Sequence, residues 1–147
     1  MADLRELYQE VILDHNKSPR NFRKLDNPTH MAEGFNPLCG DHYWVYLTVQ
    51  DRVIEEITFE GSGCAISKAA ASLMTSLLKG KPVSEAEKLF ERYRAMVTGQ
   101  GGGDPAEMGR LVVFSEVKNY PTRIKCAVLP WHTLHAALSG EQTASTE

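Results

Sequence analysis

The stretch Asp41-His42-Tyr43-Trp44-Val45-Tyr46-Leu47-Thr48-Val49-Gln50 decides the fold. Tyr43, Val45, Leu47 and Val49 alternate with Trp44, Tyr46, Thr48 and Gln50, the period of a strand with one packed face. A tight turn at Asp51-Arg52 leads to a second strand, where Ile57 and Phe59 alternate with Glu56, Thr58 and Glu60. Upstream, Thr29 to Phe35 suits a shorter strand, giving a three-stranded antiparallel meander. Beyond this sheet the apolar period becomes helical. Leu4, Leu7, Tyr8, Val11 and Ile12 mark an amphipathic helix over residues 2–16, closed by Asn16-Lys17-Ser18-Pro19. Residues 17–29 are polar and carry two prolines, so they read as a long surface loop, either a plain connection or a functional segment.

Downstream, Gly61-Ser62-Gly63 breaks the second strand and a helix follows to about Lys79. Its inward stripe is Ile66, Ala69, Ala70, Leu73 and Leu77, with Gly80 as C-cap. Ser84 and Glu87 are spaced as a capping box for the next helix, which turns Ala86, Leu89, Phe90, Tyr93 and Val97 inward. Gly99-Gln100-Gly101-Gly102-Gly103 is a connector, because no Lys-Ser or Lys-Thr follows it as in a phosphate loop. Asp104-Pro105 opens a short helix, and Leu111 to Phe114 suits a strand or a buried helix equally. A last helix runs from about Pro121 to Leu138, with Ile124, Ala127, Val128, Trp131, Leu134 and Leu138 as its apolar face. The tail from Ser139 is small and polar and reads as frayed and flexible. There is no repeat, and residues 1–147 read as one α+β domain.

Composition narrows the function classes. With 147 residues, 42% of them hydrophobic, the chain can bury a core without disulfide or metal staples. A net charge of −3 without a basic stripe excludes a nucleic-acid surface. No apolar run reaches the roughly 18 residues of a membrane span. The N-terminus lacks the regions of a signal peptide, so a cytoplasmic setting with reduced thiols is expected. There an odd cysteine count points to metal, redox or catalytic use.

The three cysteines are Cys39, Cys64 and Cys126. Cys39 lies in Asn36-Pro37-Leu38-Cys39-Gly40-Asp41, where Pro37 stiffens the approach, Gly40 permits a sharp turn, and Asp41 places a carboxylate two residues away. Cys64 and Cys126 each sit near a helix start, where the dipole favours thiolate, and helical periodicity sets both opposite the apolar stripes. Arg123 and Lys125 add positive charge beside Cys126. Three thiols and Asp41 make four anionic donors, the number a tetrahedral zinc site takes. No Cys-x-x-Cys pair is present, and none of the five histidines forms a ligand pair, so each is read as structural. His42 points toward the site or away along its strand, and His135 falls on the apolar stripe of the last helix.

Asn36-Pro37-Leu38-Cys39-Gly40-Asp41, Gly61-Ser62-Gly63-Cys64-Ala65-Ile66-Ser67 and Arg123-Ile124-Lys125-Cys126 together resemble the IscU-like family of iron–sulfur cluster assembly proteins. Within it the chain is most similar to the SufU type: Lys125 precedes the third cysteine where the IscU branch has histidine, and roughly residues 81–110 resemble the SufU insertion. The resemblance implies an α+β fold, a three-stranded antiparallel sheet with helices packed against it. It implies zinc held by Cys39, Asp41, Cys64 and Cys126. It further implies that Cys39 accepts sulfur from a pyridoxal phosphate-dependent cysteine desulfurase of the SufS type. A partner histidine would free Cys39 by replacing it as ligand, and downstream iron–sulfur assembly proteins would complete the pathway. Pyridoxal phosphate belongs to the donor and is not expected to bind here. The same four residues suit a scaffold for a transient [2Fe–2S] cluster. A structural zinc without chemistry is the third reading, disfavoured because such sites seldom use aspartate.

Overall fold

The computed structural model describes residues 4–101 and 108–145. Helix α1 (Leu4–Lys17) precedes the strands β1 (His30–Asn36), β2 (Asp41–Gln50) and β3 (Val53–Ser62). Helices α2 (Ala65–Leu78) and α3 (Val83–Val97) follow, then a 3-10 helix (Gly109–Asn119), helix α4 (Pro121–Leu138) and a short strand β4 (Thr143–Ser145). The fold is α+β, as the alternation of periods implies. The sheet, however, has four strands in the order β3-β2-β1-β4, because β4 joins β1 in parallel. The tail is thus not wholly frayed. Glu33 N–H donates to the carbonyl of Gln142 at 2.8 Å, so β1 offers backbone groups that even a featureless segment can pair with.

Register carries the inward face across the meander. Val45 lies opposite Ala32 on one side and Phe59 on the other, and Leu47 lies opposite Ile57. All of these are fully buried. The same phase continues to the end of the sheet, where Asn36 pairs with Asp41 and both side chains are buried. The β2–β3 hairpin closes through Asp51 and Arg52 at φ 53° and 65°, the paired left-handed residues that suit a right-twisted hairpin.

Helices α2 and α4 cover this inward face, with α1 on α2 and α3 on α4. The contact of α4 with β1 is close: a Cβ built on Gly34 would stand 1.9 Å from Thr133 Oγ1. Trp131, Tyr43, Tyr93, Phe59 and Phe114 are the largest buried side chains, and Tyr93 stacks on Trp131 at 4.9 Å. Burial of each such ring stabilises the fold by about 1.5–3 kcal/mol.

Loop 18–29 is tied down as a sheet-edge cover. Arg20 N–H donates to Ser72 Oγ at 2.8 Å and Arg23 N–H to the Phe59 carbonyl at 2.9 Å, while Phe59 N–H returns a bond to Asn21. Gly80 follows α2 with φ 85°, as expected of a C-cap glycine. The capping box at Ser84 does not form. Helix α3 starts at Val83 with Pro82 in the cap position and no side-chain cap, because proline already supplies the fixed φ that starts a helix. Leu111 to Phe114 adopt the 3-10 helix, and the expected helix at Asp104-Pro105 lies outside the described residues. None of the described helices is long and apolar enough to cross a membrane.

Candidate metal centre

Four segments deliver the site. The β1–β2 loop carries Cys39, β2 begins with Asp41, α2 is capped by Cys64, and the second turn of α4 holds Cys126. In the loop, the Asn36 carbonyl accepts the N–H groups of Cys39 at 3.3 Å and Gly40 at 2.9 Å, and Gly40 turns the chain at φ 75°. Leu38 is 71% exposed at the tip, and Cys39 beside it is exposed.

Asp41 is 1% exposed because it shares the inward phase of Tyr43. Its Oδ1 accepts the Cys64 N–H at 2.9 Å, which fixes the start of α2 against β2. Its Oδ2 is buried with no partner, an arrangement that favours a cation. Gly63 makes this approach possible: a Cβ there would lie 2.5 Å from Asp41 Oδ1 and Ser67 Oγ and 2.6 Å from the Tyr43 hydroxyl.

Ligand atoms of Cys39, Asp41 and Cys126 lie within 4.8 Å of one another, and the Cys126 and Cys39 sulfurs are 3.5 Å apart. Cys64 is not in that group; its thiol donates to Ser67 Oγ at 3.7 Å. Hydrogen bonding from Cys126 lowers Cys64 to about 5, helped by Ser67 and opposed by desolvation. Cys126 moves up because it retains the shared proton and is buried. The negative charge of Cys64 raises Arg123 further, so this guanidinium faces the thiols. Lys125 is half-buried and makes no hydrogen bond or ion pair among the described residues.

Helical periodicity misplaces Cys126, which is fully buried. Residues Cys126 to Trp131 are buried in succession because α4 is covered by the sheet, α2 and α3. A helix packed on several sides has no outward face for periodicity to reveal. His42 turns away from the site, bonds to Glu33 and stacks on Trp44 at 4.3 Å. His135, expected in the core or at an interface, is exposed, bonding to Glu87 at 2.9 Å and stacking on Phe90 at 5.2 Å. Residues that the motifs alone did not single out are Asn36, Tyr43 and Ser67. Asn36 and Tyr43 share the phase of Asp41, and Ser67 lies one helical turn past Cys64, so position held the signal.

Three sulfurs and one carboxylate suit zinc or an iron–sulfur cluster, and the unpartnered Asp41 oxygen fits either. Residues 7–139 match the family model described as the NifU-like N terminal domain. The chain is 42% identical over 132 residues to the iron–sulfur cluster assembly scaffold protein IscU of Thermotoga maritima, covering 90% of this chain and 92% of that one. It is 36% identical over 141 residues to the zinc-dependent sulfurtransferase SufU of Bacillus subtilis, covering 96% and 95%. The crystal structure of a candidate SUF-system scaffold protein from Fervidobacterium islandicum AW-1 superposes with a TM-score of 0.85 at 36% identity, covering 92% of this chain and 99% of that one. The chain therefore belongs to the NifU-like N-terminal domain family, among the IscU and SufU proteins.

Proposed function

We propose that this protein is a zinc-dependent sulfur acceptor that takes persulfide sulfur from a cysteine desulfurase for iron–sulfur cluster assembly. The observation that carries this reading is the asymmetry of the site. Asp41 and Cys126 are buried and Cys64 is half-buried at a helix cap, whereas Cys39 alone is exposed on a loop tip. The relative named as a zinc-dependent sulfurtransferase aligns along nearly the whole chain. Lys125 before Cys126 and the SufU-like segment at roughly residues 81–110 point the same way.

Cys39, Asp41, Cys64 and Cys126 would hold the zinc, which keeps coordinated thiols as thiolates at neutral pH. Cys39 is the nucleophile. Its thiolate attacks the terminal sulfur of the donor's cysteine persulfide. A Cys39 sulfur–sulfur bond forms, the donor's sulfur–sulfur bond breaks, and the donor cysteine leaves as thiolate with the electron pair. Gly40, at φ 75° with open space around its Cα, gives the loop its hinge. Asp41 and Cys126 stay behind in the packed face, and Arg123 offsets the anionic charge beside them. The desulfurase, of the SufS type, is the upstream partner; the proteins that build clusters are downstream.

The test combines metal content with persulfide mass spectrometry. About one zinc per chain is expected, together with faster desulfurase turnover and a persulfide on Cys39 without iron. Cys39→Ala should abolish both while leaving the circular dichroism unchanged; full desulfurase activation by that variant would sink the assignment. The second reading, a scaffold for a [2Fe–2S] cluster, is favoured by the 42% identity to a protein named as a scaffold. Iron, sulfide and a visible charge-transfer band in the isolated protein would select it.

A further inference from the structure

We propose that Asn36 is a positioning residue that couples the Cys39 loop to Cys126 and tunes the Cys126 sulfur as a metal ligand. This rests on the reading that Cys39 and Cys126 both hold the metal. Asn36 ends β1, is fully buried, and faces inward opposite Asp41. It meets the loop twice: its carbonyl accepts the Cys39 and Gly40 N–H groups, and its side-chain Oδ1 accepts the Leu38 N–H at 3.2 Å. A backbone N–H can only donate, so the amide atom facing Leu38 is the oxygen. The amide orientation is thereby fixed, and Nδ2 is left to donate to Cys126 Sγ at 3.9 Å.

One planar amide therefore spans the exposed thiol's loop and the buried thiol. Its oxygen side shapes the turn that presents Cys39. Its nitrogen side withdraws electron density from the Cys126 sulfur, since a donor to a thiolate weakens that sulfur's donation to a metal. Departure of Cys39 strains the turn held by Oδ1, and the same amide registers it at Cys126. No other side-chain amide reaches either sulfur among the described residues.

The two roles separate by substitution. Asn36→Asp keeps an acceptor for Leu38 but has no donor for Cys126; Asn36→Ala loses both. Each variant and the parent are loaded with cobalt(II), and the sulfur-to-cobalt charge-transfer bands and chelator competition are recorded. Alkylation of Cys39 by iodoacetamide is followed by peptide mass spectrometry, with and without metal. Both variants are expected to shift the charge-transfer band to lower energy, and Asn36→Ala, which restores full donation by the Cys126 sulfur, to hold cobalt no less tightly than the parent. Only Asn36→Ala is expected to alkylate faster at Cys39. Bands in Asn36→Asp that superimpose on those of the parent would overturn the proposal, as would equal Cys39 alkylation in all three proteins. If neither variant folds, the unaltered chain decides: with cadmium-113 bound and nitrogen-15 labelling, the Asn36 Nδ2 protons should correlate with the metal. Metal-linked cysteine signals without that correlation would refute the contact. Failure of the parent to bind cobalt at all would instead overturn the underlying site reading.

Discussion

Gly63 and Asp41 show how little room single residues leave at this site. Gly63 is the point where β3, α2 and the Asp41 carboxylate converge, and its Cα has no space for a methyl group. Gly63→Ala should push Asp41 from Cys64, lower stability by about 1–3 kcal/mol and weaken retention of added metal during gel filtration; urea midpoints and metal analysis read both effects. Asp41→Ala removes the unpartnered oxygen and the bond to the Cys64 N–H together. The affinity for added zinc in a chelator competition should fall by at least about 10-fold, and equal affinity would remove Asp41 from the proposed ligand set. The sequence disclosed these donors through residue type and through the phase of β2, which sends Asp41 inward with Tyr43. It hid the burial of Cys126, because periodicity reports exposure only for a helix with one packed face. It placed Asn36 inward but hid the contact of its amide with Cys126, 90 residues away along the chain.

At the scale of elements, the strands of the meander were legible because alternation and pairing phase agree across all three. Strand β4 was not, since Thr143–Ser145 is too short to show a period and is recruited by the open edge of β1. The 3-10 helix was equally opaque, as its apolar residues suit more than one period. Helix α4 takes its height over the sheet from Gly34, beneath Thr133 and Leu129. Gly34→Ala should force α4 outward, with a stability loss of about 1–3 kcal/mol. Thr133→Ala removes the hydroxyl that meets the new methyl first, so the double variant should recover part of that loss. A double-mutant cycle in urea measures the coupling; strict additivity would show that the sheet, rather than α4, yields. Since Cys126 rides on α4 and Cys39 follows from β1, the same variant should also weaken metal binding.

Across the whole molecule, α1 and loop 18–29 are fastened to the helix that Cys64 caps, through His15 and Ser72. Arg20 N–H donates to Ser72 Oγ at 2.8 Å, so the serine proton is free to go to His15 Nδ1 at 2.7 Å. His15 is then neutral, with its Nε2 proton buried and unpartnered. Desolvation lowers its pKa from 6.5, Arg20 and Arg110 add to the shift, and Asp14 opposes it. The unfolded chain therefore binds more protons just below that value, and stability rises with pH through the window. The contribution is complete above 6.5 and is lost as pH falls toward the lowered value. His132 acts in the same sense, since desolvation also lowers it, with Arg94 and His135 reinforcing and Glu91 opposing. Urea midpoints at about pH 7.5 and about pH 5.5 should show the parent weaker at the acid end, and His15→Gln should flatten that difference. Acid release of metal affects parent and variant alike, so the comparison isolates the helix junction. An unchanged pH difference in the variant would place the acid sensitivity at His132 or the thiol site instead.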